Sequence, residues 1–203
     1  ITCKDGPSHN GMWDMALLRH VPGLRLAAPR DEPTLRAALR AAIDVDDAPT
    51  VIRYPKGPVA EPLPAVRRVG DVEFLAEHGA DPRIIVFGIG SMAGTAIEAA
   101  GKIAAEGVSV AAATATWVHP VPEGLLEAIG DAYLVVTVED GLTDAGVGEE
   151  WAEHARLAGL TVRWAHHGIP REFIEQGTRA QIIEQVGLEP DVIAGSAAAL
   201  LRS

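Results

Sequence analysis

The chain has 203 residues, 48% hydrophobic and 22% charged, and this apolar content is enough for one or two real cores. A net charge of −11 argues against a nucleic-acid partner, since phosphate binding needs clustered Lys and Arg, and the lysines here are only Lys4, Lys56 and Lys102. No apolar run is long enough to be a membrane helix, and Cys3 as the sole cysteine excludes an intrachain disulfide or a cysteine metal cluster; a cytoplasmic home is expected.

The start, Ile1-Thr2-Cys3-Lys4-Asp5, has no Met, no basic segment and no apolar segment, so it does not read as a signal peptide. It reads as a cut inside a domain. Helical spacing of Met12, Met15 and Ala16 predicts a helix within Gly11–Val21, stopped by Pro22-Gly23. Leu24–Ala28 reads as a short buried strand ended by Pro29. Asp31 is a good N-cap for a helix from about Glu32 to Asp44, with Pro33 tolerated in its first turn. Val51–Tyr54 reads as a strand ended by Pro55-Lys56-Gly57. Residues 1–57 are therefore helix, strand, helix, strand, half of a doubly wound unit. Two strands alone make no stable sheet, so more of this unit is expected upstream.

Residues 58–65 hold Pro58, Pro62 and Pro64 and read as a stiff interdomain linker. After it, Val72–Glu77, the turn His78–Asp81 and Arg83–Phe87 suggest a hairpin. Gly88-Ile89-Gly90-Ser91 leads into a helix from about Met92 to Glu106, closed by Gly107. Strand Val108–Ala113 is followed by a long loop through Trp117 and His119. Helix Glu123–Ile129, strand Tyr133–Val138, helix Gly146–Leu157 and strand Thr161–Ala165 follow. A helical region over Arg179–Leu201 is broken near Gly187 and Pro190. Strands alternating with helices imply an α/β fold with a mostly parallel sheet covered on both faces. Residues 66–203 are long enough to be a complete three-layer domain with one antiparallel edge strand.

The densest polar segment is Asp5-Gly6-Pro7-Ser8-His9-Asn10-Gly11, a loop just before a helix, where α/β folds display reactive side chains. A carboxylate and an imidazole at this spacing can hydrogen-bond a hydroxylated substrate and move protons near neutral pH. The same residues fit equally a loop-capping Asp and a packed His. Arg53 and Lys56 put two cations at a strand end, the rim of a ligand crevice or simply a solvated end. Gly88-Ile89-Gly90-Ser91 lacks the third glycine of a dinucleotide fingerprint and reads as a tight strand–helix turn. His166-His167 and Glu139-Asp140 lack companions at metal-ligand spacing and read as domain-edge or interface residues. Gly-x-Ser-x-Gly is absent.

The string Asp5-Gly6-Pro7-Ser8-His9-Asn10-Gly11-Met12-Trp13-Asp14, with Ala28-Pro29-Arg30-Asp31-Glu32 and Arg53-Tyr54-Pro55-Lys56-Gly57, resembles the 1-deoxy-D-xylulose-5-phosphate synthase family. The tail Gly168-Ile169-Pro170-Arg171-Glu172-Phe173-Ile174-Glu175-Gln176-Gly177 does so too. That family is thiamine-diphosphate dependent and transketolase-like. The resemblance implies that residues 1–57 end a pyrimidine-binding domain, that 58–65 link, and that 66–203 form a transketolase C-terminal domain. The implied activity of the intact enzyme is condensation of pyruvate with glyceraldehyde 3-phosphate, with loss of carbon dioxide. The product, 1-deoxy-D-xylulose 5-phosphate, feeds isoprenoid, thiamine and pyridoxal synthesis. By the same resemblance Asp5 binds acceptor hydroxyls, His9 is the active-site histidine, and Lys56 stands where the family often has an arginine for the acceptor's phosphate. Lysine there keeps the charge and loses the bidentate fork.

Thiamine diphosphate and magnesium are implied for the intact enzyme, held mostly by residues upstream of Ile1, with no cofactor or metal residue assigned here. The isolated chain is expected to be inactive, a homodimer-forming part that needs the N-terminal region of the same enzyme. Transketolase, a 2-oxoacid dehydrogenase β subunit, or a dimerisation domain alone are the competing readings; the front loop and the tail disfavour the first two.

Overall fold

The computed structural model describes Gly6 and residues 9–202. In the six-stranded sheet, β3 (Arg67–Val69), β4 (Val72–His78), β6 (Val110–Ala115), β5 (Ile84–Gly88), β8 (Leu134–Leu142) and β9 (Arg163–Ile169) lie side by side in that order. The four strands β6, β5, β8 and β9 are mutually parallel, while β3 and β4 run antiparallel at one end. This is the mostly parallel α/β architecture the alternating pattern predicts.

The runs Ile84–Phe87 and Leu134–Val136 are apolar at every position because both faces of the sheet are covered. Successive side chains alternate between faces. Ile84, Val86, Val110, Leu134 and Val136 meet α3 (Ala93–Ala105) and α7 (Pro190–Arg202) on one side. Ile85, Phe87, Ala111, Ala113 and Val135 meet α4 (Leu125–Ile129) and α5 (Val147–Leu157) on the other. Trp151 of α5 is fully buried there, edge-on to Phe87 at 5.3 Å, with its indole N–H donated to the Val118 carbonyl at 3.1 Å. Such a pair contributes about 0.5–1.5 kcal/mol beyond area burial. At the end of the chain α6 (Arg179–Gln185) precedes α7, whose first residue is Pro190.

Residues before 58 form α1 (Asp14–Leu18), β1 (Arg25–Ala27), α2 (Glu32–Ile43) and β2 (Thr50–Ile52). Asp31 caps α2 as expected: its carboxylate accepts from the Thr34 N–H at 3.0 Å, and Thr34 reciprocates. Helix α1 is shorter than the Gly11–Val21 pattern suggests. Strands β1 and β2 are parallel, and β7 (Trp117–His119) pairs antiparallel with the other side of β1. The segment read from sequence as a loop through Trp117 and His119 is thus a strand that completes a three-stranded sheet. Leu24, Leu26, Ala28 and Met15 share one apolar core with Phe74, Phe87 and Trp151.

The expected hairpin is different. β4 does not pair with β5; it turns back on β3 through Gly70-Asp71 and pairs with β6 on its other edge. Gly70 carries the tight turn at φ +56°, and a Cβ there would lie 2.5 Å from the Glu123 carbonyl oxygen. The Pro-rich stretch is pinned: the Leu63 N–H donates to Asp31 at 2.9 Å, and its carbonyl accepts from Arg30 at 2.9 Å.

Candidate functional site

The front loop and the tail, far apart in sequence, pack against each other. The buried Asn10 donates its amide to the Ile174 carbonyl at 3.3 Å, and Trp13 meets Phe173 edge-on at 6.0 Å. The Leu142 N–H donates to the Met12 carbonyl at 3.0 Å, fastening this loop to the end of β8. His9 sits in the loop with its N–H donated to the Gly6 carbonyl at 3.1 Å and its side chain exposed. Asp5 lies outside the described residues.

Behind the loop lies a charged cluster. The register of β8 against β9 slips between Val138 and Leu142, so residues 139–141 form an irregularity in which both acidic side chains are buried. Glu139 faces the start of α5, whose N-cap Gly146 has no side chain; the Val147 and Gly148 N–H groups donate to the Glu139 carboxyl at 3.2 and 3.1 Å. Burial pushes Glu139 up to about 7, against the pull of those N–H groups and of Arg53. Asp140 ion-pairs with Arg53, whose Nη2 also donates to the Asp140 carbonyl at 2.9 Å. The second carboxylate oxygen of Asp140 pairs with Arg179 at 2.8 Å and accepts from the Ser91 hydroxyl at 3.1 Å. Burial alone raises a carboxyl, but the guanidinium groups of Arg53 and Arg179 override it and hold Asp140 far below the usual carboxylate range. Arg53, also 3.0 Å from Asp14, stays charged despite its burial because Asp140 and Asp14 outweigh the desolvation.

The two cations at the end of β2 therefore part company. Arg53 turns inward as a tie between the smaller sheet and β8, not a rim residue. Lys56 lines an open pocket of about 540 Å³ with Arg30, Tyr54, Ser91 and Arg179. The pocket sits beyond the carboxyl ends of β1, β2 and β5, the crevice where α/β sheets take ligands. Gly88 and Gly90 form a tight turn, as read: Gly90 has φ +56°, and a Cβ on Gly88 would lie 2.5 Å from the Met92 carbonyl oxygen. His166 bonds through Nδ1 to the Thr137 hydroxyl at 2.8 Å, and burial lowers its pKa; it stands on the edge strand, away from this cluster. Arg179 and Ser91 were not candidates from sequence. One local signal existed for Arg179: a cation at the first position of a helix opposes the macrodipole and needs a tertiary reason.

The family description "Transketolase, pyrimidine binding domain" matches residues 2–61, and "Transketolase, C-terminal domain" matches residues 71–193. The chain belongs to the transketolase family. Within it, the chain is 44% identical over 194 residues to 1-deoxy-D-xylulose-5-phosphate synthase of Clavibacter sepedonicus, a match covering 96% of this chain and 30% of that protein. It is 42% identical over 202 residues to 1-deoxy-D-xylulose-5-phosphate synthase 1 of Kitasatospora griseola, covering 100% and 31%. The chain thus spans about 30% of the length of these relatives. Its fold superimposes on a structure described as a split gene transketolase, inactive beta4 tetramer, with TM-score 0.78, 24% identity and coverage of 98% of this chain and 64% of that one. A transketolase mutant from Pichia Stipitis gives TM-score 0.76 at 18% identity, covering 97% and 28%.

The family uses thiamine diphosphate. Among the described residues, no group of three His, Cys, Asp or Glu side chains comes together to hold a metal ion. The buried acidic pair is already engaged by Arg53, Arg179 and the start of α5, so these residues do not fit the diphosphate–magnesium end. No helix of the described residues is long and apolar enough to cross a membrane.

Proposed function

We propose that this chain is the acceptor-side part of a thiamine-diphosphate-dependent synthase that joins pyruvate to glyceraldehyde 3-phosphate. In that reaction the bond between the carboxylate and the keto carbon of pyruvate breaks, and carbon dioxide leaves. The keto carbon then bonds to the aldehyde carbon, giving 1-deoxy-D-xylulose 5-phosphate. Asp5 accepts hydrogen bonds from the acceptor's hydroxyls, His9 delivers a proton to the aldehyde oxygen as it becomes a hydroxyl, and Lys56 holds the phosphate. The cofactor and its magnesium belong to other parts of the intact enzyme, a cytoplasmic homodimer. Residues 1–57 are the end of the pyrimidine-binding domain, 58–65 the linker and 66–203 the C-terminal domain.

One observation carries this reading: Lys56 lines an open pocket at the carboxyl ends of β1 and β2, on the rim where an α/β fold receives ligands. Exposure of the His9 side chain adds support, because an imidazole that moves protons must reach its substrate. The test is made in the full-length enzyme. Lys56→Ala should raise KM for glyceraldehyde 3-phosphate and leave that for pyruvate where it was. Asp5→Ala should weaken acceptor use far more than pyruvate decarboxylation; equal loss of both half-reactions would refute its role. Turnover of both substrates by the 203-residue chain alone, or its tight saturable binding of thiamine diphosphate in calorimetry, would overturn the reading.

A further inference from the structure

The pocket that holds Lys56 has a second cation in its wall. Arg179 comes from the far end of the chain, at the first position of α6, and lines the same open space with Ser91. Nothing in its own helix explains it: Thr178 already caps α6, accepting from the Gln181 N–H at 3.2 Å, and a cation at this end opposes the dipole.

Its partners leave the guanidinium partly unanswered. Nη2 donates to Ser91 at 2.8 Å and pairs with Asp140 at 2.8 Å. Nη1 is buried and meets no acceptor, an arrangement that costs free energy until one arrives. The charge is under-compensated as well. Asp140 is shared with Arg53, which has Asp14 besides, so two guanidinium groups divide one buried carboxylate. Arg30, the third cation of the pocket wall, is met by both Asp31 and Glu73. Arg179 is thus held by Asp140 and Ser91 with charge and a donor remaining.

We propose that Arg179 is a second phosphate-binding residue, which with Lys56 grips the phosphomonoester of the acceptor between the two units of the chain. The inference rests on the reading of Lys56 given above and names the residue that completes it. A phosphomonoester near neutral pH carries close to two negative charges and three acceptor oxygens, a match for two cations from different walls. Lysine at position 56 supplies a point charge without a fork; Arg179 supplies the planar guanidinium. Ser91 is a positioning residue, since its hydroxyl accepts from Arg179 and donates to Asp140.

The experiment compares glyceraldehyde 3-phosphate with unphosphorylated glyceraldehyde as acceptors for the full-length enzyme and its variants Arg179→Gln, Arg179→Lys and Lys56→Ala. Arg179→Gln should raise KM for the phosphorylated acceptor about tenfold or more, the loss expected for a hydrogen bond to a charged group. It should also weaken competitive inhibition by inorganic phosphate and leave KM for glyceraldehyde where it was. Arg179→Lys keeps a cation beside Asp140, so it covers the case in which Arg179→Gln fails to fold, and should give an intermediate KM for the phosphorylated acceptor. Equal losses with both acceptors would mean that Arg179 acts only through Asp140, and the inference falls. If Lys56→Ala impairs the phosphorylated acceptor and neither Arg179 variant does, the inference falls while the reading of Lys56 stands. If Lys56→Ala changes nothing, both fall together.

Discussion

Arg53 and Asp140 join the two sheets of the protein. Arg53 leaves the end of β2 in the smaller sheet, and Asp140 sits in the irregular stretch of β8 in the larger one, with no exposed side-chain surface. The guanidinium contacts both the carboxylate and the main-chain carbonyl of Asp140, which fixes the start of the segment that carries Lys56 three residues later.

Removing one partner of such a pair leaves the other charge buried and unanswered. Arg53→Met is expected to lower the stability of the 203-residue chain by about 3–5 kcal/mol in urea unfolding. Asp140→Asn should cost a similar amount, because Arg179 and Arg53 lose their shared carboxylate together. A loss below about 1 kcal/mol for both would show that the tie is not structural.

Glu139 makes the stability depend on pH. Its folded-state value of about 7 lies above the ordinary 4.5, so the unfolded chain releases this proton first as pH rises. Below about 4.5 both states hold it and there is no penalty. Between there and 7 the stability falls, and above 7 the full cost of about 3 kcal/mol is present. Glu139→Gln removes the titration, so the stability difference between variant and parent should shift toward the variant as pH is raised from 5 to 8. A difference independent of pH would rule out this carboxyl as the cause.

Gly88→Ala tests the close approach of β5 to the turn before α3. Its Cβ would meet the Met92 carbonyl oxygen at 2.5 Å and the Ala93 Cα at 2.6 Å, both backbone atoms that cannot rotate away. A loss of about 1–3 kcal/mol is expected, read as a lower Tm. A neutral outcome would mean that the strand and the turn separate easily.

His9→Ala separates chemistry from packing. The side chain is exposed, so thermal unfolding of the 203-residue chain should change by no more than about 0.5 kcal/mol. In the full-length enzyme, turnover should fall by about 10²- to 10⁴-fold, the range for losing a positioned acid–base group. A collapsed Tm would point to packing instead.

Much of this protein was legible as a one-dimensional pattern. Apolar runs such as Ile84–Phe87 mark strands covered on both faces, Asp31 with Pro33 announces the start of α2, and Gly107 marks the end of α3. Strand ends are where α/β folds receive ligands, and of the two cations after β2 only Lys56 lines a pocket there. Strand β7 went unread: three residues with His and Trp carry too little pattern to declare a strand until β1 lies beside them. The hairpin was misplaced for a related reason. Alternation identifies a strand but not its neighbour, and the turn that pairs β3 with β4 rests on a single glycine at positive φ.

Local chemistry, then, is what the order of residues determined here: caps, turns, the period of each element, and which polar loop resembles a reactive one. Which charges meet was decided only in three dimensions. Arg53 and Lys56 look alike at the end of one strand, yet one is buried against Asp140 and the other opens onto a pocket, and Arg179 reaches that pocket from the opposite end of the chain. The reason is physical. Helix and strand signals act over a few residues, whereas desolvation and ion pairing depend on distances that exist only after the sheets have packed.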